Sequence, residues 1–230
     1  MIYISDAEWQ AVALSLRVAG VAVVCSLPFG ILMAWLLVRG KFPGKTLLDS
    51  LIHLPLVLPP VVVGYLLLLG FGRRGVIGSW LYDWFGFTFA FSWRGAALAS
   101  AVIAFPLMVR SIRLALEAVD TRLELAARTL GAGFWRVFFT ITLPLTLPGI
   151  IVGAVLAFAR SLGEFGATIT FVSNIPGETR TLPSAMYTLI ETPGAEEAAS
   201  RLCVVAIVLA LLSLLLSEWL TRWGRKRLGL

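Results

Sequence analysis

Charge is scarce in this chain of 230 residues: 14% are Asp, Glu, Lys or Arg, against 59% apolar. Mean hydropathy is +0.91. Soluble domains run at about 25% charged and roughly 45–50% apolar, and small domains bury only about 70% of their chain surface. A water-soluble globular enzyme and a disordered chain are both excluded, and a bilayer is the solvent that fits. Thiols and imidazoles are few as well. Cys25 and Cys203 both lie in apolar runs, so no disulfide framework or thiolate metal site follows. His53 is the single histidine, which excludes a histidine metal cluster. The first nine residues hold Asp6 and Glu8 but no Lys or Arg, so no basic leader region is expected. Period-2 alternation over ~10 residues is missing too, which excludes a membrane β-barrel. No internal repeat supports an inverted-repeat transporter.

What is present is long apolar runs. Five are long enough to cross: 11–38, 51–71, about 95–116, about 138–159 and about 202–221. A crossing helix needs about 20 residues at ~1.5 Å each. Arg17, Pro28 and Gly30 interrupt the first run, and Pro55, Pro59, Pro60 and Gly64 the second. The expected fold is all-α, a polytopic membrane protein with residues 1–230 as one transmembrane domain. Basic residues orient it. With the N-terminus outside, the inner loops and tail (39–50, 110–137 and from 218) hold twelve Lys and Arg and the outer loops six. Five helices, N-out and C-in, is the consistent arrangement. The net charge of +6 is then read as basic cytoplasmic loops, with no nucleic-acid partner. Trp9, Trp80, Trp84, Trp93, Trp135, Trp219 and Trp223 fall near the span ends, as an aromatic belt requires.

Two apolar segments between the fourth and fifth runs, 162–173 and 182–190, are too short to cross. Each is expected as a half-membrane excursion or a surface helix. Gly40 to Thr46 (GKFPGKT) imitates a phosphate-binding loop, but it is one residue short between the glycines, follows a helix, and loses an amide at Pro43. It is read as a basic turn, leaving no nucleotide site in the chain.

The longest inner loop, about 117–137, is not featureless. Thr121 and Glu124 have capping-box spacing. Leu123, Ala126, Ala127 and Leu130 recur at i, i+3, i+4 and i+7. Glu124 and Arg128 form an i, i+4 pair in the favourable order, and Gly131 follows as a C-terminal cap. A short amphipathic helix is expected. Periodicity leaves open whether it rests on the lipid interface or docks another protein; its small alanines favour docking.

The run from Glu124 to Gly131 (ELAARTLG), with nine residues before Ile141-Thr-Leu143-Pro144, resembles the EAA loop of importer-type ABC permeases. Ala126, Ala127, Gly131, Ile141, Leu143 and Pro144 match in spacing, but the family's acid aligns with Leu125 and this chain's acid stands one place earlier. Phe158 to Gly166 (FARSLGEFG) resembles a stretch shared by molybdate, tungstate and sulfate permeases. His53 to Gly64, Ala126 to Arg136 and Asn174 to Pro183 resemble the molybdate branch.

The resemblance implies a permease subunit in the bacterial inner membrane that imports an oxyanion, molybdate before sulfate or tungstate, and is not itself an enzyme. It implies a second copy of the chain, two cytoplasmic ATPase subunits that carry ATP and Mg, and an external oxyanion-binding protein. The chain itself is expected to hold no cofactor and no metal. Thr121, Glu124, Ala126, Ala127, Arg128, Gly131, Ile141, Leu143 and Pro144 are then the expected ATPase-coupling residues.

A dianion crossing the bilayer needs a watery passage with sparse donors and no tight site. Arg160, Ser161 and Glu164 at the outer end of the fourth run, with Pro59 and Pro60 in the second, are the expected passage or gate residues. Arg160 and Glu164 share a helix face, either as part of the gate or as a structural ion pair. Gly149 and Gly153 offer a close-packing surface, within the subunit or across a homodimer axis. Arg17 is expected to snorkel. His53 is either a packed side chain or a pH-sensitive group near the inner exit. The competing class, an ion-coupled transporter working alone, needs an intramembrane carboxylate, and Asp49, Glu164 and Glu218 all lie near span ends.

Overall fold

The structure, a computed structural model, describes residues 5–228, with the side chains at 217, 221 and 223–228 outside the description. Trp223 of the expected belt and Arg225, Lys226 and Arg227 of the expected basic tail therefore fall outside the described side chains. Helices account for all the regular structure among the described residues.

The first apolar run is α1, Asp6–Arg39. At 34 residues it spans about 50 Å, longer than ~30 Å of hydrocarbon. Ser5 caps it: its Oγ accepts from the Glu8 amide at 3.3 Å, while Glu8 Oε2 accepts from the Ser5 amide at 2.6 Å. This box satisfies two orphan donors at the helix start.

The second run is not one helix. α2, Lys45–Val57, and α3, Pro60–Phe71, meet at a bend of 115°. The cause is local. Pro59 and Pro60 donate no amide, and Leu58, held before a proline, is driven to extended backbone (φ −70°, ψ 142°). The break expected of the proline cluster in this run therefore falls at Pro59 and Pro60, while Pro55 stays inside α2. Its two ends still lie far apart. Asp49 near the start of α2 pairs with Arg113, whereas Phe71 at the end of α3 packs edge-on against Phe89 at 5.7 Å.

α4, Val76–Phe85, leads to α5, Trp93–Glu117. α5 is the centre of the molecule, packed between α1 and the later α8, Leu143–Leu162. Small residues permit this: Ala96, Ala97, Ala99 and Ala104 are buried along α5. On α8, a Cβ added at Gly149 would collide with Ala115, and one at Gly153 would reach the Met108 carbonyl at 3.0 Å. Ser111 Oγ also donates to the Gly149 carbonyl at 3.0 Å. The glycine pair therefore serves packing inside the subunit, and the homodimer alternative has no room on that face.

Between α5 and α8 lie α6, Thr121–Thr129, a one-turn α7, Phe134–Val137, and a π-helical turn, Phe138–Thr142. After α8 come α9, Gly166–Val172, α10, Leu182–Glu191, and the long α11, Glu196–Leu228. α9 is neither a surface helix nor a crossing one: Ala167, Thr168, Phe171 and Val172 are all buried against α3 and α5. Glu8 ties the start of α1 to α11 through Arg201 at 3.2 Å. Arg17 is exposed, and its guanidinium lies over the Trp93 ring at 3.9 Å, a cation–π contact. Four helices are long and apolar enough to cross a membrane, and the bent α2–α3 pair is a fifth candidate.

Candidate functional site

α6 begins differently from the capping box expected of Thr121. Asp120 is the N-cap, its Oδ1 accepting from the Arg122 amide at 2.9 Å, and Thr121 is the first helical residue. Aspartate outcompetes threonine here because its carboxylate also meets the positive helix end. Glu124 is thereby free of capping duty. It does not pair with Arg128 either. Its Oε1 accepts from Arg39 Nη2 at 3.1 Å and from Thr142 Oγ1 at 2.7 Å. Gly131 ends the helix as expected, with φ +85° and its amide bonded to the Arg128 carbonyl at 3.0 Å, while Ala132 reaches back to Ala127. Only glycine takes that left-handed conformation without a Cβ penalty.

No residue of α6 is buried. Leu123 and Leu125 are 49% and 59% exposed, and Leu130 just beyond the helix is 89% exposed. Ala126 and Arg128 face solvent, and Ala127 is half-buried. Exposed leucines beside alanine on a nine-residue helix make an unpartnered apolar face. A cavity of about 430 Å³ separates α6 from the end of α1 and the π-turn; Arg39, Thr121, Glu124, Leu125 and Arg128 line it, so Leu125 belongs to the cavity side and Leu123, Ala126 and Leu130 to the outer face.

Ile141, Leu143 and Pro144 are not on that face. They sit half-buried where the π-turn enters α8. Pro144 has no amide, and its ring crowds the carbonyl four residues back, so the ladder slips there: the Leu143 amide bonds to Phe138, five residues away.

At the other end of α8, the five expected passage residues fall into one neighbourhood. Arg160 Nη1 meets Glu164 Oε2 at 2.7 Å. Glu164 is 2% exposed, and its Oε1 accepts from the Ala167 amide at 2.8 Å, so the carboxylate also closes the start of α9. Ser161 is buried, and its hydroxyl has no hydrogen-bond partner. Pro59 and Pro60 begin α3 alongside: a Cβ on Gly166 would stand 2.9 Å from Pro60 Cβ, and one on Gly64 would stand 2.5 Å from the Ala167 carbonyl. α3 and α9 thus touch backbone to backbone. Neither helix start offers a cradle for an anion, because Glu164 occupies one and prolines deplete the other.

Sequence reasoning missed Arg39 and Thr142 as partners of Glu124. The one available signal was the acid's displacement from the family register. His53 Nδ1 lies 2.8 Å from the Asp49 carbonyl and 3.2 Å from its carboxylate, within a polar chain that continues to Arg113 and Glu117.

Three comparisons place this architecture among known proteins. The molybdenum transport system permease protein ModB of Escherichia coli K12 is 76% identical over 226 residues, covering 98% of this chain and 99% of that protein. ModB of Haemophilus influenzae is 65% identical over 96% of this chain and 97% of its own length. The sulfate transport system permease protein CysT of Escherichia coli is 36% identical, over 95% and 79% respectively. Among solved structures, a bacterial ABC transporter involved in the import of the polysaccharide alginate shares the fold, with a TM-score of 0.73 at 20% identity over 95% of this chain and 80% of that one. Residues 26–229 match the model of a single family. This chain, a multi-pass membrane protein, belongs to the binding-protein-dependent transport system inner membrane components.

Proposed function

We propose that this chain is the permease subunit of an ATP-driven importer that carries molybdate into the bacterial cytoplasm. Two copies form the passage in the inner membrane, crossing five times each with the N-terminus outside. Two ATPase subunits bind from the cytoplasm with their ATP and Mg, and an external binding protein delivers the ion. The chain performs no chemistry of its own.

The observation that carries this reading is α6, a folded and capped helix whose apolar face has no cover within its own chain. An exposed patch of this kind marks a binding surface. Ala126 and Ala127 let a partner backbone come close, Leu123 and Leu130 supply apolar area, and Thr121 and Arg128 at the cavity rim frame it with Gly131. Ile141, Leu143 and Pro144 act behind the face, setting the joint with α8. At the outer end, Arg160, Ser161, Glu164, Pro59 and Pro60 shape the passage by fixing α8, α9 and α3 to one another. A path without a tight anion cradle suits transport, since an ion held firmly does not leave.

The substrate assignment rests on the molybdenum transport relatives, which are far more similar to this chain than the sulfate relative. The test is uptake by the reconstituted complex. Molybdate uptake is expected to require the ATPase subunit and ATP, with tungstate competing at comparable concentration and sulfate competing poorly. Sulfate displacing molybdate at equal concentration contradicts the substrate, and uptake by the purified chain without any ATPase contradicts the class.

A further inference from the structure

We infer that Glu124 is a positioning residue that fastens the docking helix to two membrane helices and carries the load of the power stroke, an inference resting on the coupling role proposed for α6. The covalent route from α6 to α8 is soft. It runs through Gly131, Ala132 and Gly133, then a single turn of α7, then a π-turn of five residues whose ladder has slipped. A displacement of α6 travelling along that route is absorbed by glycine torsions and weak turn bonds.

Glu124 provides a short-cut across 18 residues of chain. Its Oε1 holds Arg39, the last residue of α1, and Thr142, the last residue of the π-turn, at 3.1 and 2.7 Å. Among the described residues, every side-chain polar link from α6 to another helix passes through this carboxylate. Thr142 is 3% exposed, and the Glu124 side chain is 14% exposed. The Arg39 side chain is 21% exposed and all three groups border the cavity, so the bonds are partly shielded and the charge-assisted one is the stronger of the two.

The register explains why the acid stands where it does. Consecutive helical residues are turned by about 100°. At 124 the carboxylate meets both Arg39 and Thr142, while Leu125 beside it is 59% exposed and lines the same cavity. The one-place departure from the family's pattern thus puts the acid within reach of both Arg39 and Thr142.

The test measures ATP hydrolysed per molybdate ion imported, in proteoliposomes holding the full complex and the binding protein. Glu124→Gln is expected to raise that ratio about tenfold, and Thr142→Val, which removes only the hydroxyl, about threefold, in line with the strength of charged and neutral partners. Reversing the pair, Arg39→Glu with Glu124→Arg, is expected to return the ratio to within about twofold of the parent. An unchanged ratio in Glu124→Gln overturns the inference. So does a Glu124→Gln complex that loses its ATPase subunit on purification, which assigns the acid to the docking contact. A reversed pair as defective as the single variants also overturns it. Failure of the underlying coupling reading shows separately, as a parent complex that imports nothing on ATP.

Discussion

Ala126→Trp is expected to lower molybdate uptake roughly 100-fold, equivalent to about 2.8 kcal/mol of docking free energy at ~1.4 kcal/mol per tenfold. Ala126 touches nothing in its own subunit that would resist a larger side chain, since no residue of α6 is buried. The helix itself tolerates tryptophan at a cost of a few tenths of a kcal/mol, about the difference in propensity from alanine. The subunit therefore folds and reaches the membrane. What fails is the approach of the partner, because an indole stands where a methyl group allowed close contact. The checks are uptake, retention of the ATPase subunit on purification and thermal unfolding of the permease alone. Loss of the first two with an unchanged third is expected, and Ala126→Ser retains all three. Normal import by Ala126→Trp contradicts the docking face.

Glu164→Ala acts through stability instead. The carboxylate is 2% exposed and satisfies Arg160 at 2.7 Å and the Ala167 amide at 2.8 Å. Arg160 is 32% exposed and water can solvate it when its partner is gone, so the cost falls below that of a fully buried pair, at about 1–3 kcal/mol, and the start of α9 loses its acceptor as well. α9 is clamped on α3 through Gly64 and Gly166, so the loosening spreads to the bend at Pro59 and Pro60. The solubilised complex is expected to unfold at a lower temperature and to import poorly. Arg160→Ala leaves the acid its bond to the Ala167 amide, so its complex keeps the ATPase and loses uptake with a smaller drop in stability. A Glu164→Ala complex as stable as the parent contradicts this account of the pair.

How far the sequence alone reaches depends on the length scale of each signal. Three of the five expected spans lie within single helices, and the fourth is α8 continued back through the π-turn, because a run of ~20 apolar residues has no other solution in lipid. The broken second span carries its cause in the open, at Pro59 and Pro60, yet the 115° angle follows from α3 lying against α9, which no local pattern encodes. α6 was legible from Leu123, Ala126, Ala127 and Gly131. Its N-cap was not: Asp120 and Thr121 are both good caps, and the choice between them depends on the turn leaving α5. The partners of Glu124 were illegible for a different reason. Arg39 is 85 residues away in sequence, and its nearness depends on how α1 and α5 pack. The Arg160–Glu164 pair was visible from its spacing, whereas the role of Glu164 in closing α9 depended on a helix too short to be assigned from periodicity.

The central claim is that the face of α6 belongs to another polypeptide and not to the lipid surface. Site-directed crosslinking tests it most directly. Cys25 and Cys203, both exposed on the subunit, are first replaced by serine, and Ala126→Cys is introduced into membranes containing the ATPase subunit. A short reagent with one thiol-reactive and one photoreactive end, attached at position 126, is predicted to join it to the ATPase on irradiation, with no such adduct when the ATPase is omitted. Position 126 labelled only by headgroup-restricted probes, with no adduct to a second chain, would contradict the account.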